Sequence, residues 1–274
     1  MRELQASIRV LALTMGVFAL GPAQAQGLLD RIPSLPGDWT VTLGAQAKVA
    51  PVYEGADKFD VTPLPVFGLR RAGKTARFRA PLDGPAISLI EAGGFYFGPT
   101  GKFKAARKAD DSDHLRGLGD VDWTIEVGAF AEFWPSDWLR TRAEIRRGFG
   151  GHEGVVADLS ADAVIPFNER WTFSGGPRAS FADTKATVPY FGIDATQSLL
   201  SGLPAFKAKG GLHSVGAGLQ AIYQWTPQWE VRSYVEYSCL MGDAASSPLV
   251  MNRGSRDQLT FGIGVSYSFD IKLW

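Results

Sequence analysis

Chemistry, if this chain performs any, must come from its three histidines, its single cysteine or one acidic run. A lipid hydrolase needs an imidazole within reach of a serine hydroxyl, with a third polar group to orient it. His213 and Ser214 are adjacent, but neighbours on a strand point to opposite faces and do not pair with each other. His114 and His152 fall in stretches that read as loops. Asp110, Asp111, Asp113 and His114 offer oxygen and nitrogen ligands to a divalent cation. That run lacks the glycine and the closing glutamate of an EF-hand loop, and it reads as a solvated acidic loop. No phosphate-cradling glycine loop, zinc spacing or nucleophile elbow occurs. Cys239 falls on an apolar face as a small hydrophobe, and a lone cysteine forms no intramolecular disulfide. The expectation is a chain with no catalytic, metal or cofactor residue. A hydrolase pairing His213 with a distant serine is the least favoured alternative.

Alternation, not a motif, organises the chain. Residues 257–274 place Leu259, Phe261, Ile263, Val265, Tyr267, Phe269, Ile271 and Leu273 at odd positions, with polar or small residues between them. This is the period of a strand with one oily and one wet face. The run is longer than an ordinary globular strand, and it ends on Trp274 as outer-membrane barrels often end on an aromatic residue. At the front, Arg2 and Arg9 flank an apolar run over residues 10–20, and Ala23-Gln24-Ala25 supplies small residues for cleavage. Residues 1–25 therefore read as a signal peptide, too short to span a membrane, with cleavage near Ala25. Residues 26–38 read as a periplasmic lead-in and residues 39–274 as one outer-membrane β-barrel. A formal net charge of zero with both signs dispersed argues against a nucleic-acid partner. Mean hydropathy near zero suits a barrel that is apolar on only half of its positions.

The same alternation recurs from Trp39 onward. It is clearest over residues 121–133, 139–147, 155–165, 171–181, 215–225 and 229–239, and it includes residues 76–82. Residues 60–70 are weaker because Pro63 and Pro65 donate no ladder hydrogen bond. The connections alternate between short and long, as periplasmic turns and outer loops do in a transmembrane barrel. Aromatic residues bracket the short turns: Trp134 and Trp138, Phe167 and Trp171, Trp225 and Trp229. With Trp274 they are the expected membrane-interface aromatics. The inward face carries Arg140, Arg142, Glu144, Arg146, Arg178, Glu230, Arg232 and Glu236. Two readings of that face stay open: a water-filled, porin-like channel for small solutes, or an ion-pair network filling a narrow barrel. The predicted fold is an all-β, antiparallel, up-and-down transmembrane barrel of about twelve strands, ten if the proline-bearing early segments do not span.

Residues 190–225 and 237–250 carry a family resemblance. Ser201-Gly202-Leu203-Pro204-Ala205-Phe206 lies at the centre of the first stretch. Gly242-Asp243-Ala244-Ala245 and Ser247-Pro248 mark the second. With the Tyr267-Ser268-Phe269 ending, these resemble the MipA/OmpV (MltA-interacting protein) family. The resemblance implies a barrel of the Gram-negative outer membrane that contacts its lipids and is not an enzyme. It also implies a scaffold that brings a murein lytic transglycosylase together with a murein synthase, and so a link to peptidoglycan.

Overall fold

The computed structural model describes residues 37–73 and 76–273. The expected signal peptide, most of the lead-in and Trp274 lie outside the described residues. Eleven strands form one antiparallel sheet. They are β1 (Gly37–Pro51), β2 (Phe59–Arg71), β3 (Ile90–Ala92), β4 (Phe95–Lys104), β5 (Thr124–Ser136) and β6 (Leu139–Gly150), followed by β7 (Val155–Pro166), β8 (Trp171–Ala182), β9 (Gly211–Gln224), β10 (Trp229–Leu240) and β11 (Asp257–Leu273). The order β2-β1-β11-β10-β9-β8-β7-β6-β5-β4-β3 puts strands beside their chain neighbours and joins the last strand to the first. That is the topology of an up-and-down transmembrane barrel. The first-to-last pairing runs unbroken from Gly37↔Leu273 to Val49↔Phe261.

Period-two alternation decides what each face holds. On β6, Arg140, Arg142, Glu144 and Arg146 are buried, while Ile145 between them is 57% exposed. On β5, Glu126, Phe130 and Glu132 are buried, while Ile125, Val127 and Phe133 are exposed. A soluble protein would bury the apolar set. Here the charged set is inside and the apolar set faces outward, as a wall in lipid requires. Close strand approach leaves no room for a side chain at some positions. A Cβ on Gly128 would collide with the Ile145 carbonyl oxygen on the paired strand.

Among the described residues, one end of the barrel carries tight turns. The other carries residues 52–58, 105–123, 183–210 and 241–256, which the sequence showed only as long loops and which fold into a cap. Its helices are α1 (Thr184–Phe191), α2 (Ala195–Ser201), α3 (Gly242–Ser246) and α4 (Pro248–Arg253). Asp183 and Asp194 cap the first two by accepting backbone N–H bonds. Two apolar clusters hold the cap: Tyr53, Ala56, Leu115, Leu118, Ile193, Leu203 and Leu249 form one. Val121, Tyr190, Phe191, Ala208, Leu240, Ala244 and Val250 form the other.

Among the described residues the sheet has eleven strands against an expected count near twelve, and the difference falls at one place. Residues 76–82, which alternate like a strand, carry no regular structure and turn into the lumen. Residues 85–92 follow them along β4, where Ile87 and Leu89 donate backbone bonds to Pro99 and Phe97.

Candidate functional site

Most of the inward charges form one connected network through the lumen, with Arg232 and Glu230 as a separate pair. Register creates it: Arg140 pairs with Asp162, Glu132 with Arg142, and Glu144 with Asp158. Arg140, which is fully buried, contacts Asp162 at 2.9 Å and Glu132 at 2.8 Å. Arg142 lies 3.1 Å from Glu132 and 2.7 Å from Glu144. Arg146 reaches Glu126 at 2.9 Å and Asp158 at 2.5 Å, and also bonds Glu144. Arg178 bonds Asp162 at 2.7 Å and stands 3.6 Å from Glu236. Arg232 bonds Glu230 at 2.9 Å. Guanidinium forks suit this sharing, because one cation satisfies two or three carboxylates in fixed directions.

Residues 76–84 cross this network. Arg77 bonds Glu132 at 3.0 Å and lies 3.9 Å from the centre of the Tyr96 ring. The Phe78 ring meets Trp134 edge-on at 6.2 Å and has the Arg140 guanidinium 5.3 Å from its centre. Asp83 accepts from Arg140 at 2.5 Å, and Arg232 on β10 donates to the Arg79 carbonyl at 3.4 Å. The segment thus touches β5, β6 and β10. This placement corrects the expectation for Trp134. Its indole donates to Glu132 and packs on Phe78 inside the barrel, because Phe133 holds the alternate, outward position. Trp138, Phe167, Trp171, Trp225 and Trp229 are exposed near the tight turns. Trp171 stacks on Phe173 at 5.5 Å and tilts against Tyr223 at 4.6 Å.

At the cap end of the barrel, each histidine faces a carboxylate. His213 Nε2 is 2.5 Å from Glu54, which Lys104 also contacts at 2.9 Å. His152 Nε2 is 3.1 Å from Glu126, while its Nδ1 accepts from the Gly154 N–H. His114 stands 3.6 Å from Asp57. Among the described residues no histidine ring bonds a serine hydroxyl. Burial pulls the Glu54 carboxyl upward, but Lys104 and His213 outweigh it and hold the group well below the usual carboxylate range. Burial pushes the nearby Tyr53 hydroxyl up to about 12. Arg107 donates to the Tyr190 and Pro189 carbonyls, placing a cation at the C-terminal end of α1. In the acidic run, Asp111 accepts from the Lys108 N–H and Asp113 pairs with Arg116.

The residues that carry the family resemblance build this cap. The Ser201 carbonyl accepts from Arg253, and its hydroxyl accepts from the Leu203 N–H. Gly202 ends α2 at φ +73°, a left-handed conformation that favours glycine. Leu203 is buried and Pro204 exposed. Gly242 opens α3 at φ +52°, and Asp243 accepts from the Lys209 N–H. Ser247 is fully buried and donates to the Phe191 carbonyl, while Pro248 begins α4. Sequence reasoning missed Glu54, Lys104 and Asp83. Glu54 lies in a loop and Lys104 at the end of β4, far apart in the chain, and Asp83-Gly84 reads locally as a hairpin turn.

Comparison with known proteins bears on the whole wall. The profile of a family described as MltA-interacting protein MipA matches residues 43–269. No curated protein sequence matches. Among solved structures, the chain is similar to the NanC porin at 11% identity, covering 84% of this chain and 98% of that one, with a TM-score of 0.38. An outer membrane channel from Pseudomonas putida F1 is 10% identical over 86% of this chain and 96% of that one, with a TM-score of 0.43. The outer membrane protein OprG from Pseudomonas aeruginosa is 11% identical over 85% and 96%, with a TM-score of 0.30.

Proposed function

The chain belongs to the MltA-interacting protein (MipA) family, and on that premise we propose that this outer-membrane barrel is a non-enzymatic scaffold. It links the membrane to a murein lytic transglycosylase and a murein synthase, after removal of residues 1–25. The observation that carries this reading is the filled interior. Charged side chains and residues 76–84 occupy the lumen, and two apolar clusters seat the cap over its mouth. A barrel filled in this way does its work through surfaces. Murein enzymes meet the periplasmic end, where the tight turns at residues 135–137, 167–170 and 226–228 are the exposed parts. The family-like residues lie at the opposite end, and their contacts explain this: they hold the cap together, so they need not mark where a partner binds.

The test is affinity capture of tagged protein from cross-linked envelopes, with an unrelated barrel as control. Enrichment of a murein synthase or a lytic transglycosylase, lost when the three turns are substituted, supports the scaffold. A partner set equal to the control overturns it. Planar-bilayer conductance then tests the channel reading.

A further inference from the structure

The two ends of the sheet, β2 and β3, have no backbone hydrogen bond joining them among the described residues. In hydrocarbon an unpaired strand edge is not tolerated, because no water is present to satisfy its N–H and C=O groups. An edge of this kind invites a further strand. Directions around the sheet narrow the choice: β2 is antiparallel to β1, β3 is antiparallel to β4, and every pairing between them is antiparallel. Counting around the sheet, β2 and β3 both run toward the turn end. A strand between them must run the other way, and residues 76–82, which connect them, do so.

The edge chemistry points to the same segment. Ala72 donates to Asp38, so even-numbered residues near that end of β2 bond β1, and odd-numbered ones aim their N–H groups at the open side. Pro63 and Pro65 have no N–H to aim. The two prolines split the open-side donors into Phe59 and Val61, whose N–H bonds the Asp60 carboxylate, and Phe67 and Leu69 in the half of β2 nearest the turn, beside which residues 76–82 would lie. The segment also alternates as a wall strand does, with Ala76, Phe78, Ala80 and Leu82 on one face and Arg77 and Arg79 on the other. In its present seat this pattern is half misused. Phe78 sits against a guanidinium inside the lumen, and Leu82 is 48% exposed.

We propose that residues 76–82 have two seats: the lumen position described above, and a wall position between β2 and β3. In the second seat, Phe78 faces lipid beside Leu69, Arg77 and Arg79 face inward, and the barrel closes with an even count of twelve strands. Exchange between the seats empties the middle of the lumen and mends the wall in one movement. The Asp83–Arg140 and Arg77–Glu132 ion pairs are the latch that holds the lumen seat. This inference stands apart from any murein partner.

Cysteine pairs in a Cys239→Ser background, oxidised in phospholipid vesicles, test it. Phe78→Cys with Trp134→Cys reports the lumen seat, and Phe78→Cys with Leu69→Cys reports the wall seat. Heat-modifiable gel mobility identifies folded barrels. Both pairs are expected to form in folded protein. Adding Asp83→Asn removes one charge-assisted bond and is expected to shift the ratio toward the wall pair by about tenfold. Formation of one pair alone, unchanged by Asp83→Asn, overturns the proposal. If a double variant fails to fold, single Phe78→Cys decides. Labelling by both a water-soluble and a bilayer-confined maleimide supports two seats, and labelling by only one of them overturns the proposal.

Discussion

The Asp83 carboxylate lies 2.5 Å from the Arg140 guanidinium, so a residue outside the wall helps satisfy the charge at the centre of the wall's interior. Arg140 also bonds Glu132 and Asp162 with no side-chain exposure. Its contribution is felt mainly on removal, since burying the pairs carries a desolvation cost that the contacts only offset. Arg140→Ala takes one cation from three buried carboxylates, leaving Glu132 to Arg77 and Arg142, Asp162 to Arg178 and Asp83 to Arg142. It is expected to destabilise the barrel by about 3–5 kcal/mol, and Asp83→Asn by about 1–3 kcal/mol. Urea titration in vesicles, read by gel mobility, checks the order. A larger loss from Asp83→Asn would show that the lumen segment, and not the β5–β7 network, holds the structure.

Gly128 and Gly218 face different obstacles. A Cβ at Gly128 meets the Ile145 carbonyl oxygen, which the strand pairing fixes in place. A Cβ at Gly218 meets the end of the Glu236 side chain, which can rotate. Gly128→Ala is expected to cost about 1–3 kcal/mol as an overpacking change, and Gly218→Ala distinctly less. Refolding yield into vesicles compares them, and equal yields would contradict the assigned strand register.

Cap stability should depend on pH through Glu54. Lys104 and His213 hold its carboxyl well below the usual range despite burial. A group depressed in the folded state stabilises it above the unfolded value, and that contribution disappears as pH falls through the folded value. The Glu54 contribution to docking of residues 52–58 is therefore expected to be whole above about pH 4.3, the ordinary glutamate value, to decline progressively below it, and to be lost completely only well below it. Protection factors for the Val52 and Gly55 amides, which bond Lys58 and Gln258, report this. A midpoint at the ordinary value, or one unmoved by Glu54→Gln, would refute the assignment.

Trp138 and Trp225 are 55% and 63% exposed beside tight turns, where indole rings prefer the headgroup layer. Trp134 is turned inward against Glu132 and Phe78. In single-tryptophan variants, lipids brominated near the headgroup are expected to quench Trp138 and Trp225 strongly and Trp134 weakly. Equal quenching of all three would place Trp134 outside the lumen.

Much of this architecture was legible in the residues because a barrel wall is local information repeated. Leu259 to Ile271 face one way and Gln258 to Lys272 the other by backbone geometry alone, whatever the strand pairs with. Trp134 shows the limit. Its position beside a turn suggested a lipid-facing ring, but alternation from Phe133 and the nearby Glu132 turned it inward. The cap shows it again: helix caps at Asp183 and Asp194 are local, whereas the meeting of Glu54 with Lys104 and His213 joins a loop to two strands distant in the chain.

The sequence by itself determined the faces of the strands, the alternation of turns with loops, and the membership of the arginines and carboxylates in one interior, because each depends on a period of two residues. Only the tertiary structure decided which carboxylate meets which arginine, that the long loops close into a cap, and that residues 76–82 leave the wall. Those outcomes depend on register and on contacts across the lumen, where one residue's choice is set by side chains from strands far away in sequence. An amphipathic pattern states that a segment has two faces, and the space left by its neighbours determines where those faces go.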